Sequence, residues 1–256
     1  MPFARRSRWS IASRPAATAA APTAGKVTSP KEAWGHNVGD DYFLANYKQE
    51  YDYFNLLAKQ SPRIHIKDIG KSSEGRPMIT AIVTDPSNYP RLARYQEISR
   101  RLSLNQVKDD AEARALAKEG KAIIWIDGGL HATEVLGAQQ LIESFWQLVS
   151  RTDAETLRIL DDCIILMAHA NPDGMELVSN WYMQEPDKLK RNTNISRLYE
   201  KYAGHDINRD AFMLNLAENR NLARFMNSDW HPQVFLTMHQ MEWDGPRFFV
   251  PPNTDP

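Results

Sequence analysis

Cysteine, long hydrophobic runs and net charge are all scarce in this 256-residue sequence. Cys163 is the single cysteine, which excludes an internal disulfide and a zinc site built from several thiolates. No apolar run approaches the roughly 18 residues that a membrane-spanning helix needs. Lysine and arginine total 31 and aspartate and glutamate 32, so a net charge of −1 offers little attraction to a nucleic-acid polyanion. We therefore expect no membrane and no nucleic-acid partner, and any metal must be bound by histidines and carboxylates.

Residues 1–30 differ in composition from the rest of the chain. They carry five basic side chains and no acidic one, and they are rich in alanine, proline, serine and threonine. Such a segment cannot bury a hydrophobic core, which predicts a disordered leader. No apolar h-region follows the arginines, so the segment does not have the pattern of a signal peptide. A transit-like leader and a flexible tail without a targeting signal remain the alternatives. Residues 31–256 are predicted to fold.

Short apolar runs alternate with helical patterns through the predicted folded part. Five runs have the length and composition of β-strands, and the last three are apolar enough to be buried: RIHIKDIG, PMITAIV, AIIWID, CIILMAH and VFLTMH. Helices are predicted over residues 40–60, 91–119, 133–149 and 210–226, with Thr133 as a candidate N-cap. This alternation is typical of an α/β fold with a mostly parallel central sheet flanked by helices.

Polar residues cluster where the three most apolar runs end. GGLHATE follows AIIWID, HANPDG closes CIILMAH, and HQ closes VFLTMH. Ligands of open α/β sheets bind at the carboxyl ends of the strands. The sequence therefore predicts a functional site at this edge of the sheet.

His131 and Glu134 form an H-x-x-E pair at this predicted edge. Both side chains can reach one point outside the turn, and an imidazole with a carboxylate is a competent zinc-binding pair. A catalytic zinc needs a third protein ligand, for which His169, His205 and His239 are candidates that the residue pattern does not separate. The structural alternative is that Glu134 favours a helix N-terminus electrostatically while His131 is a hydrogen-bonded loop residue.

Four ordered pieces between Gly128 and His239 resemble the zinc carboxypeptidases of the carboxypeptidase A type. They are H-A-T-E at 131–134, N-P-D-G at 171–174, D-x-N-R at 206–209, and His239 itself, 105 residues beyond Glu134. The resemblance implies the α/β fold, a metallocarboxypeptidase activity, and one Zn²⁺ per chain bound by His131, Glu134 and His239. The implied substrate is a peptide or protein with a free C-terminal carboxylate.

The resemblance also implies roles for residues around the zinc. Asp206 would accept a hydrogen bond from His131 and fix its tautomer. Asn208 and Arg209 would bind the terminal carboxylate of the substrate, Arg209 through its planar fork. Arg191, 17 residues before Asn208, stands where the family has an arginine that stabilises the oxyanion. The alternative for Arg191 is that the basic run KLKRN is only a solvated face.

The chain departs from the family pattern near its C-terminal end. The general-base glutamate and the substrate-covering tyrosine of the family lie well downstream of the third ligand, whereas 17 residues follow His239 here. Glu242 does not match the position of the base. We therefore expect a C-terminally incomplete domain without the general base, or a catalytically impaired relative. The alternative functions are a zinc-dependent deacylase, a cell-wall peptide hydrolase, or a non-catalytic zinc- or peptide-binding module. Only the resemblance suggests a secreted or periplasmic location.

Overall fold

The computed structural model describes residues 26–200, 203 and 205–240. Within these ranges the chain forms eight α-helices and five strands. The helices are α1 (Pro30–Trp34), α2 (Tyr47–Gln60), α3 (Leu92–Ser103), α4 (Asp110–Glu119), α5 (Val135–Ser150), α6 (Ala154–Asp162), α7 (Pro172–Gln184) and α8 (Ala217–Arg224). The strands are β1 (Ile64–Lys71), β2 (Pro77–Val83), β3 (Ala122–Gly128), β4 (Cys163–His169) and β5 (Val234–Met238). No helix in this part of the chain is long and apolar enough to cross a membrane.

The five strands form one sheet in the order β1-β2-β4-β3-β5. β3 lies between β4 and β5 and is parallel to both, whereas β1–β2 and β2–β4 are antiparallel pairs. The predicted α/β class with flanking helices is confirmed, but the sheet is mixed because parallel pairing is confined to three strands. β1 and β2 are joined by only five residues, 72–76, which is too short for the crossover that parallel strands need.

Side chains on the two faces of the sheet pack into two hydrophobic cores. β4 supplies both, because its residues alternate between faces: Ile165 and Met167 join one core, and Ile164 and Leu166 join the other. Helices α2, α5 and α7 cover the first face. Helices α3, α4 and α8, with the π-helical turn Phe225–Trp230 that continues α8, cover the second.

β5 differs from the predicted buried strand. It is an edge strand among the described residues, and its first three side chains are about half exposed, with Phe235 at 57%. An apolar run predicts strand formation, but it does not report which edge of a sheet the strand occupies.

Three helices begin at positions that differ from the prediction, and α2 starts at Tyr47 instead of residue 40. Glu134, and not Thr133, occupies the N-cap position of α5, and its carboxylate makes no capping bond to the helix. The helix expected from residue 210 starts instead at Ala217, because the buried carboxylate of Asp210 accepts the N–H groups of Asn215 and Leu216 and closes a loop. Arg209 therefore belongs to the 3₁₀ turn Ile207–Arg209 and not to a helix start.

Residues 26–30, placed by composition in the leader, make contacts with the folded part. The backbone N–H of Thr28 donates to the side chain of Gln60, whose amide donates back to the Thr28 hydroxyl. The Tyr53 hydroxyl donates to the Thr28 carbonyl. Residues 1–25, the rest of the predicted leader, lie outside the described residues.

The three parallel strands end at the same edge of the sheet. Gly128 at the end of β3 is in register with His169 of β4 and with Met238 of β5. The loop that follows β3 and the residue that follows β5 therefore emerge side by side.

Candidate metal centre

Two histidines and a glutamate meet at this edge. Nδ1 of His131 lies 2.7 Å from Oε1 of Glu134, and Nδ1 of His239 lies 2.8 Å from Oε2 of the same carboxylate. One donor atom from each residue falls within 4.8 Å of the other two. All three side chains are partly exposed, so an ion and a substrate can reach them.

Hydrogen bonds between the end of β5 and the start of α5 position His239. The backbone N–H of Gln240 donates to Oε2 of Glu134 at 3.0 Å. The side chain of Gln240 accepts the N–H of Leu136 at 3.1 Å. The end of β5 is thereby tied to the start of α5, which sets His239 opposite Glu134.

The environment of Glu134 favours its ionised form. Partial burial raises the pKa of this carboxyl, but the N–H of Gln240 and the two histidines lower it by more. The net pKa lies below its ordinary value. The carboxylate is therefore charged and ready to bind a cation at neutral pH.

The other ring nitrogen of His131 faces a second carboxylate. Nε2 lies 3.1 Å from Oδ1 of Asp206, and the same oxygen accepts the backbone N–H of Asn208 at 2.8 Å. With a metal bound at Nδ1, Nε2 would carry the ring proton and donate it to Asp206, because a carboxylate only accepts hydrogen bonds. Nδ1 faces Glu134 and is the nitrogen of His131 that lies within the group of three donors.

The remaining candidates for the third ligand lie elsewhere. His169 is buried below the loop that follows β3, with Nδ1 3.1 Å from Oε2 of Glu50. Nε2 of His205 lies 2.9 Å from Oδ1 of Asp210. Of the three histidines that the residue pattern left open, His239 is the one that the structure brings to His131 and Glu134.

A cavity of about 370 Å³ opens beside His239. Asn208 lines this cavity, whose wall is largely apolar, and Arg209 is exposed at the next position. The backbone of both residues follows Asp206, which caps their 3₁₀ turn. The segment that orients His131 therefore also presents Asn208 and Arg209.

The described contacts of Arg191 are with residues other than the three donors. Its Nε donates to the Glu185 carbonyl at 2.8 Å and its Nη1 donates to the Tyr42 carbonyl at 2.6 Å. Its guanidinium carbon lies 5.8 Å from the centre of the Tyr182 ring. These contacts anchor the connection after α7 to the loop before α2. Glu242 lies outside the described residues.

A buried carboxylate near the metal centre escaped the sequence prediction. Asp127 in β3 is 5% exposed, and its Oδ2 accepts from Nε1 of Trp125 at 2.6 Å and from the Thr237 hydroxyl at 3.2 Å. Burial raises the pKa of Asp127 to about 6, because these hydrogen bonds and His239 offset it only in part. An acidic residue closing the apolar run AIIWID was the signal available in the sequence.

The fold and the His-Glu-His group define the class of protein. The zinc carboxypeptidase family matches residues 50–243 of this chain, a segment that contains all three donors. The chain belongs to the zinc carboxypeptidase family. A search of curated proteins finds no sequence match.

Solved structures are similar to this chain at low sequence identity. Thrombin activatable fibrinolysis inhibitor aligns with a TM-score of 0.54 at 14% identity, covering 86% of this chain and 51% of that protein. The carboxypeptidase A from Helicoverpa armigera aligns with a TM-score of 0.47 at 15% identity, over 77% of this chain and 46% of that one. A metallo-carboxypeptidase from Burkholderia cenocepacia gives 0.48 at 15% identity, over 78% and 43%. The chain thus spans about half the length of these structures or less.

Proposed function

We propose that this chain forms the zinc-binding and carboxylate-binding part of a metallocarboxypeptidase, which removes residues from the C-terminal end of a peptide. The observation that carries this proposal is the convergence of His131, Glu134 and His239 at the carboxyl edge of the parallel strands. Membership of the zinc carboxypeptidase family supports the hydrolase class.

The three donors suit a single zinc ion. Two imidazoles and one carboxylate are a set used by catalytic zinc sites, which leave a further position open. Glu134 is ionised, and the contact of Nε2 of His131 with Asp206 leaves Nδ1 facing the other two donors. Zinc, when bound, would act as a Lewis acid that polarises the scissile carbonyl and activates water. We assign no described residue as the general base.

Asn208 and Arg209 are proposed to bind the terminal carboxylate of the substrate. Asn208 lines the cavity beside His239, and Arg209 is exposed next to it. A guanidinium offers two parallel N–H donors that match the two oxygens of a carboxylate. Because Asp206 caps the turn that carries both residues, carboxylate recognition and the orientation of His131 share one short segment.

Arg191 is proposed to stabilise the oxyanion that develops during hydrolysis. Its Nη1 donates to the Tyr42 carbonyl in the structure, so this role requires that bond to open. The bond from Nε to the Glu185 carbonyl can remain as an anchor during such a movement.

The test is cleavage of two peptides that differ only in a free or an amidated C-terminus. Both peptides are offered to the 256-residue chain and to its variants. Arg209→Ala is compared with Arg114→Ala, which removes an exposed arginine from α4. Charge-assisted hydrogen bonds are worth about 1.5–3 kcal/mol each, so we expect Arg209→Ala to lower kcat/KM on the free peptide about 100-fold or more with zinc content intact.

Equal cleavage of free and amidated peptides by the parent and by Arg209→Ala would contradict the carboxypeptidase assignment. An endopeptidase or a deacylase would then be the better description. Arg114→Ala is expected to behave as the parent in both assays.

A further inference from the structure

A buried histidine that the proposed reaction does not use lies directly behind the loop that carries His131. His169 ends β4, and its side chain is 2% exposed. A Cβ placed on Gly129 would collide with Cε1 of His169 and would lie 2.6 Å from its Nε2. Gly129 has a φ of +74° and stands two residues before His131. The imidazole ring is therefore the surface on which this turn rests.

Two residues of helix α2 also contact the ring. Glu50 has a side chain that is also 2% exposed, and its Oε2 lies 3.1 Å from Nδ1 of His169. The two atoms are in contact without the alignment of a hydrogen bond, so Glu50 holds the edge of the ring by close polar packing. The ring of Tyr47 lies 5.4 Å from the imidazole, and its hydroxyl is anchored to the Pro77 carbonyl at 2.7 Å. These two residues of α2 hold the imidazole in place against the turn.

The other ring nitrogen links His169 to the backbone beside His131. Nε2 lies 3.1 Å from the carbonyl oxygen of Asn171, which can only accept, so Nε2 carries a hydrogen. The side chain of Asn171 donates in turn to the carbonyl of Leu130 at 3.2 Å. Leu130 immediately precedes His131. The ring thus reaches the metal-binding loop both by direct packing and through Asn171.

We propose that His169, held by Glu50, is a positioning residue for the metal ligand His131. It acts through the backbone, by supporting the turn at Gly129 and, through Asn171, the carbonyl that precedes His131. The inference rests on the proposed zinc site. It makes metal affinity depend on a contact between α2 and β4 that lies far in sequence from the H-x-x-E pair.

Filling space does not by itself account for this polar pair. Taking an imidazole and a carboxylate out of water has a large free-energy cost, and well-packed apolar side chains are often as stabilising or more so. A flat ring with an N–H on its edge does what an apolar side chain cannot, because it fits under the glycine turn while it binds the Asn171 carbonyl. We therefore expect His169 and Glu50 to matter more for the geometry at His131 than for overall stability.

The experiment measures Zn²⁺ affinity of the 256-residue chain by competition with a chromophoric chelator, and the absorption spectrum of bound Co²⁺ as a report on ligand geometry. His169→Ala and Glu50→Ala are expected to weaken Zn²⁺ binding about 10- to 100-fold, the range for removing a partner that orients a metal ligand. Both are expected to change the Co²⁺ spectrum. Glu50→Gln keeps the size and polarity of the side chain and is expected to stay close to the parent.

Asn88→Ala is the matched control for loss of a buried polar side chain. Asn88 is 3% exposed and donates to the Thr84 hydroxyl and the Leu160 carbonyl, near the end of β4 opposite His169. This variant is expected to have a lower Tm and the Zn²⁺ affinity of the parent.

Parent-like affinity and spectrum in His169→Ala and Glu50→Ala would overturn the inference, and so would an equal loss of affinity in Asn88→Ala. If His169→Ala does not fold, the Zn²⁺ affinities of Glu50→Ala and Glu50→Gln are compared. Weaker binding in Glu50→Ala alone supports the inference, and equal binding in the two variants overturns it. A parent chain that binds no Zn²⁺ would overturn the proposed metal site as well. Zinc binding by the parent that these variants leave unchanged would overturn this inference alone.

Discussion

Gly137 shows how closely the metal centre depends on the packing of α5 against β5. It lies in the first turn of α5, and a Cβ at this position would stand 2.5 Å from the carbonyl oxygen of Met238. Met238 is the residue before His239. Because the neighbour is backbone and cannot rotate away, Gly137→Ala must separate the helix from the strand, and we expect it to move His239 away from Glu134.

Two opposing effects decide the outcome of this substitution. Helix propensity favours alanine over glycine by about 1 kcal/mol. Ordinary contact begins at 3.4 Å, so helix and strand must move apart by about 0.9 Å from the 2.5 Å position, and overpacking of this kind costs about 1–3 kcal/mol. We expect stability to stay level or fall slightly. The 2.8 Å between Nδ1 of His239 and Oε2 of Glu134 should widen, which we expect to weaken Zn²⁺ binding about 10- to 100-fold, as when a group that orients a ligand is lost.

Chelator competition gives the Zn²⁺ affinity of Gly137→Ala, and urea unfolding of the metal-free protein gives its stability. Gln140→Ala, at an exposed position on the same helix, is the control and should leave zinc affinity unchanged. A Gly137→Ala protein that is more stable than the parent and binds zinc equally well would refute the reasoning, because propensity would then have outweighed the collision.

Two further substitutions test the carboxylates near the metal centre. Asp206→Asn is expected to bind Zn²⁺ about 10-fold or more weakly than the parent, because the amide oxygen can still accept from Nε2 of His131 but carries no charge; equal affinity in chelator competition would remove Asp206 from this role. Asp127→Asn is expected to stabilise the metal-free protein at pH 8 and to have little effect near pH 4. Burial raises the pKa of Asp127 to about 6, so its favourable contribution is full below the unfolded pKa of about 3.9 and is lost as pH rises through about 6, a difference on the order of 3 kcal/mol. Urea unfolding at the two pH values measures this, and the same stability difference at both would show that ionisation of Asp127 is not its cause.

Periodicity in the sequence predicted the elements of the fold better than their arrangement. All five apolar runs form strands, and the aromatic spacing that ends at Ser61 forms α2. The antiparallel placement of β2 beside β4 depends on contacts between distant residues, which a local pattern does not contain. The late start of α8 has a similar origin, because Asp210 satisfies backbone N–H groups that a helix from residue 210 would have used.

The candidate site was likewise predictable from local sequence only in part. Local spacing identifies His131 and Glu134, whose side chains meet across a single turn. The residue pattern did not separate His239 from His169, since each follows an apolar strand, and only the family resemblance pointed to His239. His169 shares the face of β4 that holds Met167 and therefore points toward α2, whereas His239 extends past β5 beside the start of α5. Strand order and strand face decide this choice, and neither is visible in a motif.

The most direct test of the account is the Zn²⁺ content and affinity of His239→Ala beside the parent and His205→Ala. The parent and His205→Ala are expected to bind one zinc per chain. His239→Ala should lose affinity by far more than the roughly 10- to 100-fold effect of removing an orienting partner, because a ligand itself is gone. Undiminished zinc in His239→Ala would contradict the assignment of the metal centre to His131, Glu134 and His239.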